Sequence, residues 1–402
     1  MEQMMNFAWP VTTILYEDYQ FLDELMRRNA SAFSGKSLII FGAGIRGSIF
    51  AMILEKLGYR EFTFVDNNKQ KWGGCINSHR IESPEGLKPQ KDGAVIIISV
   101  EDCSEIRRQL NADGWVEDKN FFAIQTNEYD DYVSAFERRG SIEYLVLGDC
   151  GLSQISLQDN QTDSLRVMIE RELGKAKTKV LAMHGMGMRS YYNVLKWQLD
   201  IGIAKPSVLA IMVNFEVFTG RHHILPRTQH APLFKKISEC HAGNEDMLAY
   251  AALTESRSKE LITDVSSASS AADSKDNNAK LVLRMNYMYR LRENSEDMEY
   301  MFRLFALAKS ASAHVIPFIP PVNYMYADKI CGEDFSIRYR CNLDMMKKCI
   351  KEKANLDVLD LSFVLPDTSF ADVTTIDETA NYAGRETVCR YLVESIREKQ
   401  TH

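Results

Sequence analysis

Cys150 stands in "LGDCGLS" (147–153), directly behind an apolar run, with Asp149 before it and glycines at 148 and 151. A thiol in such a turn is a candidate nucleophile, because part of it is already thiolate near neutral pH. To pass on an acyl group it needs a partner that moves a proton. His184 in "AMHGMGM" (182–188) is one source, and His222, His223 and His230 in "GRHHILPRTQH" are others. Asp377 and Glu378 precede the last helical pattern, where carboxylates can do acid–base work or complement a helix dipole. A second chemistry is suggested by Gly42, Gly44 and Gly47, spaced Gly-x-Gly-x-x-Gly, with Asp66 closing the next apolar run. Such a turn brings a phosphate to backbone N–H groups at a helix N-terminus, and the acidic residue is placed to hold a ribose hydroxyl.

The elements that must carry these residues alternate. Apolar strand patterns at 37–41, 62–65, 94–100 and 121–124 are interleaved with helical spacing at 48–58 and 104–114, after an N-terminal helix around 17–29. A second series has strands at 144–149, 179–183, 208–213, 314–319 and 358–362, with helices at 190–202 and 385–398. The expectation is an α/β chain with two parallel-sheet domains. An N-terminal helical segment would cover 1–35, a nucleotide-binding domain 36–140 and a larger domain 141–402. The Ser-, Ala- and Asp-rich stretch at 264–280 lacks apolar anchors and reads as a mobile insertion. With only about four strands, the first domain lacks half of a dinucleotide fold. That places a nucleotide or nucleotide sugar ahead of NAD(P), and an NAD-dependent oxidoreductase last among the readings.

Composition narrows the partners. A net charge of -7 over 402 residues argues against nucleic acid, whose phosphates favour a basic surface. No apolar run has the length of a membrane span, and the first residues lack a basic stretch followed by an apolar core, so the expected location is the cytoplasm. The eight cysteines contain no Cys-x-x-Cys pair and no zinc-type array, and read as reduced thiols with no metal. The expected partner is a small molecule or glycan; the oligomeric state stays open.

Two resemblances sharpen this. "FGAGIRGSIFAMILEKLGYREFTFVDNNKQKWGG", with "IESPEGL" further on, resembles the small Rossmann-like domain of bacterial sugar-modifying enzymes and sugar-nucleotide acyltransferases, which implies a nucleotide-sugar ligand. From "VLGDCGLS" to the end, the order of elements resembles the SGNH (GDSL-type) hydrolases. That likeness implies a flavodoxin-like three-layer α/β/α fold, with a serine nucleophile after the first strand and an oxyanion hole from a glycine after the second and an asparagine after the third. An Asp-x-x-His pair would precede the last helix. Carried over, Cys150 replaces the serine, Gly185 or Gly187 is the glycine, and Asn214 is the asparagine. In "TIDETANYAGRETV" the Asn381-x-x-Gly384 spacing is kept, but the histidine's place falls on Thr379 or Ala380. The site so implied is Cys150, Gly185, Asn214 and Asp377, with Asp149 and His184 in support. Its chemistry is acyl transfer or ester hydrolysis on a sugar in surface-polysaccharide metabolism. The rival is a carbohydrate- or partner-binding protein that keeps the pocket without the triad, and "FIPPVNYMY" (318–326) offers aromatic rings that could stack on a sugar or fill a core.

Overall fold

The computed structural model describes residues 13–90, 92–100, 103–123, 142–182, 186–200, 206–219, 275–370 and 380–400. The chain divides into two compact units, 1–127 and 128–402. The division comes ahead of the boundary at 140 expected from the sequence, and the N-terminal helix α1 (Tyr16–Arg28) belongs to the first unit.

In that unit β1 (Ser37–Phe41), α2 (Ile45–Lys56), β2 (Phe62–Val65), β3 (Cys75–Ile76), β4 (His79–Glu82), β5 (Ala94–Ile98), α3 (Ser104–Ala112) and β6 (Phe121–Ala123) follow in order. They make a six-stranded sheet ordered β3-β4-β2-β1-β5-β6, parallel throughout except for the β3–β4 hairpin. The expectation of about four strands therefore undercounts. The hairpin was missed because "CINSHRIE" has no apolar run, and its turn depends on Asn77 and Ser78 in the left-handed region. Every residue of β5 is fully buried, as a parallel strand covered on both faces requires.

The second unit contains β7 (Tyr144–Gly148), α4 (Leu165–Leu173), β8 (Thr178–Ala182), α5 (Met188–Asp200), β9 (Val208–Met212), α6 (Lys275–Asn286), α7 (Glu296–Ser310), β10 (His314–Ile319), α8 (Tyr324–Cys331), α9 (Asp334–Ala354), β11 (Leu359–Asp360) and α10 (Tyr382–Gln400). Its sheet is wholly parallel and ordered β8-β7-β9-β10-β11, so the first strand lies between the second and third. One face of the sheet packs on α5, α7 and α9, the other on α4 and α10. Pro317 sits inside β10 without breaking the ladder. Val213 N–H donates to Phe318 O and Leu361 N–H to Ile319 O, so alternation turns Pro317 toward the β11 side, where pairing begins only at Phe318.

Side-chain caps start several helices: Ser164 Oγ accepts from Val167 N–H, Ser295 Oγ from Met298 N–H, and Asn323 Oδ1 from Tyr326 N–H. The start of α6 at Lys275 corrects the reading of 264–280 as one mobile insertion: its end is helical, and the rest lies outside the described residues. No described helix is long and apolar enough to cross a membrane.

Candidate functional site

In an open parallel sheet the crevice lies beyond the strand C-termini, where successive connections leave in opposite directions. In the second unit that point is between β7 and β9, and Asp149 and Asn214 stand there. Parallel register sets Leu147 beside Ile211, so the residues just past both strands meet. The buried Asp149 carboxylate joins them: Oδ1 accepts from Gly151 N–H at 2.9 Å and Oδ2 from Asn214 Nδ2 at 2.9 Å. The first bond starts a 3₁₀ turn over Cys150–Leu152. The second orients the Asn214 amide, whose Oδ1 accepts from Glu216 N–H at 3.2 Å. Asp149 is thereby a clasp between two loops. Cys150, half-buried, opens the turn that it fixes.

Gly148 makes the turn possible. A Cβ there would lie 2.2 Å from Leu152 Cδ1 and 3.2 Å from Met212 Sδ, and Leu152 is fully buried. Behind the turn the cavity bordered by Gly151, Pro320, Ala380 and Arg385 measures about 10 Å³, room for one water.

His184, Gly185 and Asp377 lie outside the described residues, as do Glu378, Thr379 and the histidines at 222, 223 and 230. Gly187, the alternative glycine, is described: a Cβ there would be 3.8 Å from both Asp297 Oδ1 and Val217 Cγ1, an ordinary contact. Two histidines, His79 and His314, are described. His79 Nδ1 faces Phe62 O within the first unit, and His314 begins β10 at the opposite edge of the sheet.

The Asn381-x-x-Gly384 signature proves to be a helix start. Asn381 Oδ1 accepts from Gly384 N–H, and its Nδ2 donates to Thr368 O at 2.7 Å. A Cβ on Gly384 would lie 2.4 Å from Ser369 O. Arg385 follows, 2% exposed, with Nη1 2.9 Å from Asp159 Oδ2 and other donors on Ala380 O and Asp163 O. Burial pushes its guanidinium down, and the Asp159 charge opposes that shift. The Arg385 guanidinium thus ties the 159–163 loop to the first turn of α10. Of the aromatic residues in 318–326, Phe318 and Tyr326 are buried, while Tyr324 is half-buried and edge-on to Phe363 at 5.1 Å.

In the first unit the three glycines differ. Gly42 has φ +119, and a Cβ there would meet Ser99 Oγ at 2.7 Å. On Gly47 it would lie 2.0 Å from Gly42 O, so this glycine seats the helix on the turn. Gly44 meets nothing within 4 Å: its side faces open space beside the exposed Ile45. Asp66 is buried and already engaged, since Oδ2 accepts from Ala43 N–H at 2.7 Å and Lys71 Nζ at 2.9 Å, and Oδ1 from Asn68 N–H at 2.8 Å. Lys71 also donates to Ala43 O at 3.0 Å. Asp66 closes the glycine turn, which argues against the ribose-holding role expected from its spacing, and Lys71 brings a partly exposed ammonium to the same place. Sequence reading missed Lys71, although "DNNKQK" displays it two residues beyond the first lysine.

No protein-family model matches the chain, and no curated protein matches it. The chain is an α/β protein with one mixed and one parallel sheet, and the candidate residues stand past strand C-termini.

Proposed function

We propose that this chain moves or removes an acyl group on a sugar or nucleotide sugar in glycan biosynthesis, with Cys150 as nucleophile. The observation that carries this is the Asp149–Asn214 hydrogen bond at the switch point of the sheet, beside a half-buried thiol. The strand orders support the two resemblances. Counted along the chain, the second sheet runs 2-1-3-4-5, the flavodoxin-like order, and the first, leaving out β3, runs 3-2-1-4-5, the Rossmann order.

The Cys150 thiolate attacks the acyl carbonyl, whose oxygen becomes anionic and takes a hydrogen bond from the Asn214 amide. The C–O bond to the leaving group breaks, that oxygen receives a proton, and a thioester remains. A sugar hydroxyl or water then attacks the thioester and restores the thiol. His184, with Asp377, is the proposed proton carrier, and Gly185 the second oxyanion donor. The first unit would hold the nucleotide at Gly44, with Lys71 near its phosphates; Asp66 is too fully engaged to favour NAD(P) and hydride transfer.

A burst of nitrophenolate from p-nitrophenyl acetate, with an acetyl adduct on Cys150, tests the reaction. Cys150→Ala should lose both, and the exposed Cys341→Ala neither. No adduct on the wild-type chain would favour the second reading, a binding protein. That reading draws on Ala380, buried where a catalytic histidine had one of its two expected places. For the first unit, Gly44→Ala should abolish the thermal shift given by a nucleotide-sugar panel while leaving the ligand-free midpoint unchanged. Gly47→Ala should lower that midpoint. A flat panel on the wild-type chain would sink the nucleotide assignment.

A further inference from the structure

The turn that carries Asn214 is held from a second direction. Its backbone folds as a 3₁₀ turn over Phe215–Thr219, with Val217 N–H on Asn214 O at 3.1 Å. The Phe215 carbonyl accepts a hydrogen bond from Tyr289 Oη at 2.7 Å. That carbonyl and the Glu216 N–H belong to one peptide unit, which is planar and moves as a whole. The same Glu216 N–H holds Asn214 Oδ1. A hydroxyl on one side of this plane therefore fixes the direction of the amide on the other.

Tyr289 is itself well anchored. Asn342 of α9, 3% exposed, donates through Nδ2 to Tyr289 O at 2.8 Å and Tyr287 O at 3.2 Å, and its Oδ1 accepts from Leu291 N–H at 3.1 Å. The Phe215 ring packs 5.0 Å from that of Tyr339, on the same helix. Burial, with the Asp297 charge adding to it, pushes the Tyr289 phenol up, so it stays protonated and able to donate.

We propose that Tyr289 is a positioning residue for Asn214: through the Phe215–Glu216 peptide plane it aims the amide at the acyl oxygen of a substrate on Cys150. The inference rests on the acyl-transfer reading above. Without the hydroxyl the plane can rotate, and Glu216 N–H leaves Asn214 Oδ1.

Tyr289→Phe removes the oxygen and keeps the ring. Acylation of Cys150 by p-nitrophenyl acetate would be measured on the full chain for wild type, Cys150→Ala, Asn214→Ala, Tyr289→Phe and the Asn214→Ala/Tyr289→Phe pair, each with its thermal midpoint. Loss of an aimed oxyanion donor predicts kcat down roughly tenfold to a hundredfold in Tyr289→Phe, with KM within about twofold. In the pair, Tyr289→Phe should add nothing to Asn214→Ala, because its effect passes through that amide. A purely structural loss would slow both backgrounds alike and overturn the proposal, as would a Tyr289→Phe rate equal to wild type. Absence of Cys150 acylation in the wild-type chain would instead overturn the acyl-transfer reading, and this inference with it.

Discussion

Asp159→Asn isolates one buried charge. It keeps the shape of the side chain that meets Arg385 but removes the carboxylate that Nη1 meets at 2.9 Å, leaving a cation 2% exposed with carbonyl partners and the smaller pull of the Asp163 charge. Two unit charges about 4 Å apart interact by roughly 4 kcal/mol at an effective dielectric of about 20. Breaking a buried pair by removing one partner costs about 3–5 kcal/mol. Asp159 retains 12% side-chain exposure, so water screens part of the loss and about 3 kcal/mol is expected. At roughly 2–4 °C per kcal/mol for a domain of this size, the midpoint of the second unit should fall by about 6–12 °C. Differential scanning calorimetry reads this directly. The control is Glu172→Gln at the exposed Arg397–Glu172 pair, separated by 3.7 Å with both side chains about half exposed, where little change is expected. The cost comes from the orphaned cation, so Asp159→Asn with Arg385→Met should recover part of the loss. Equal midpoints for Asp159→Asn and Glu172→Gln would refute the assignment of Arg385 as a buried, paired charge.

Other consequences follow from single contacts. Gly384→Ala places a Cβ 2.4 Å from Ser369 O and 2.8 Å from Ala380 Cβ, so α10 must shift; about 1–3 kcal/mol of destabilisation is expected by urea unfolding, and a wild-type midpoint would refute it. Burial pushes the Cys389 thiol up to about 12, so iodoacetamide at pH 8 should modify the exposed Cys341 well before Cys389; comparable rates by peptide mass analysis would contradict the packing of α10. Asp360 supplies a pH dependence. Burial raises its carboxyl, but hydrogen bonds from Lys347 and Ser362 outweigh burial and leave it below the usual carboxylate range. A depressed folded value means stability present above the unfolded pKa of about 3.9 and lost as pH falls through the folded value. Lys347→Met should therefore be less stable than wild type at pH 6–7 and converge with it in strong acid; a constant gap would speak against the pairing.

How much of this was legible in the sequence depends on what kind of signal each element left. Runs such as "AVIIIS" and "YLVLG" announce themselves because strands buried on both faces must be apolar along their whole length. The β3–β4 hairpin is marked only by turn residues and two fully buried isoleucines, Ile76 in β3 and Ile81 in β4. Helices α6 and α7 fall between β9 and β10, and α8 and α9 between β10 and β11, and their long-range packing leaves only diffuse periodicity among charged residues. At the candidate site, the resemblance put Cys150, Asp149 and Asn214 after neighbouring parallel strands, and the loops there meet through the Asp149–Asn214 hydrogen bond. Asn381 and Gly384, read as the block before the terminal helix, form the start of α10. Tyr289 carries no local signal at all: its role arises from a bond to Phe215, 74 residues earlier in the chain.

The two strand-terminal aspartates show where such reading stops. Asp66 follows β2 and Asp149 follows β7, and spacing offers each a ligand or a catalytic neighbour. In both cases the carboxylate instead grips an adjacent loop, Asp66 the glycine turn through Ala43 N–H and Asp149 the Asn214 amide. The reason is common to both sheets: beyond parallel strands, backbone N–H groups and side-chain amides lose ladder partners, and a buried carboxylate satisfies them where water is excluded. The consequences differ. Asp66 takes Lys71 as a third donor, and Gly44 of the turn it holds faces open space. Asp149 holds an amide with two N–H groups on one nitrogen, of which its own oxygen takes one. The same clasp thus grips a backbone N–H in one unit and a side-chain amide in the other, a distinction that no residue spacing encodes.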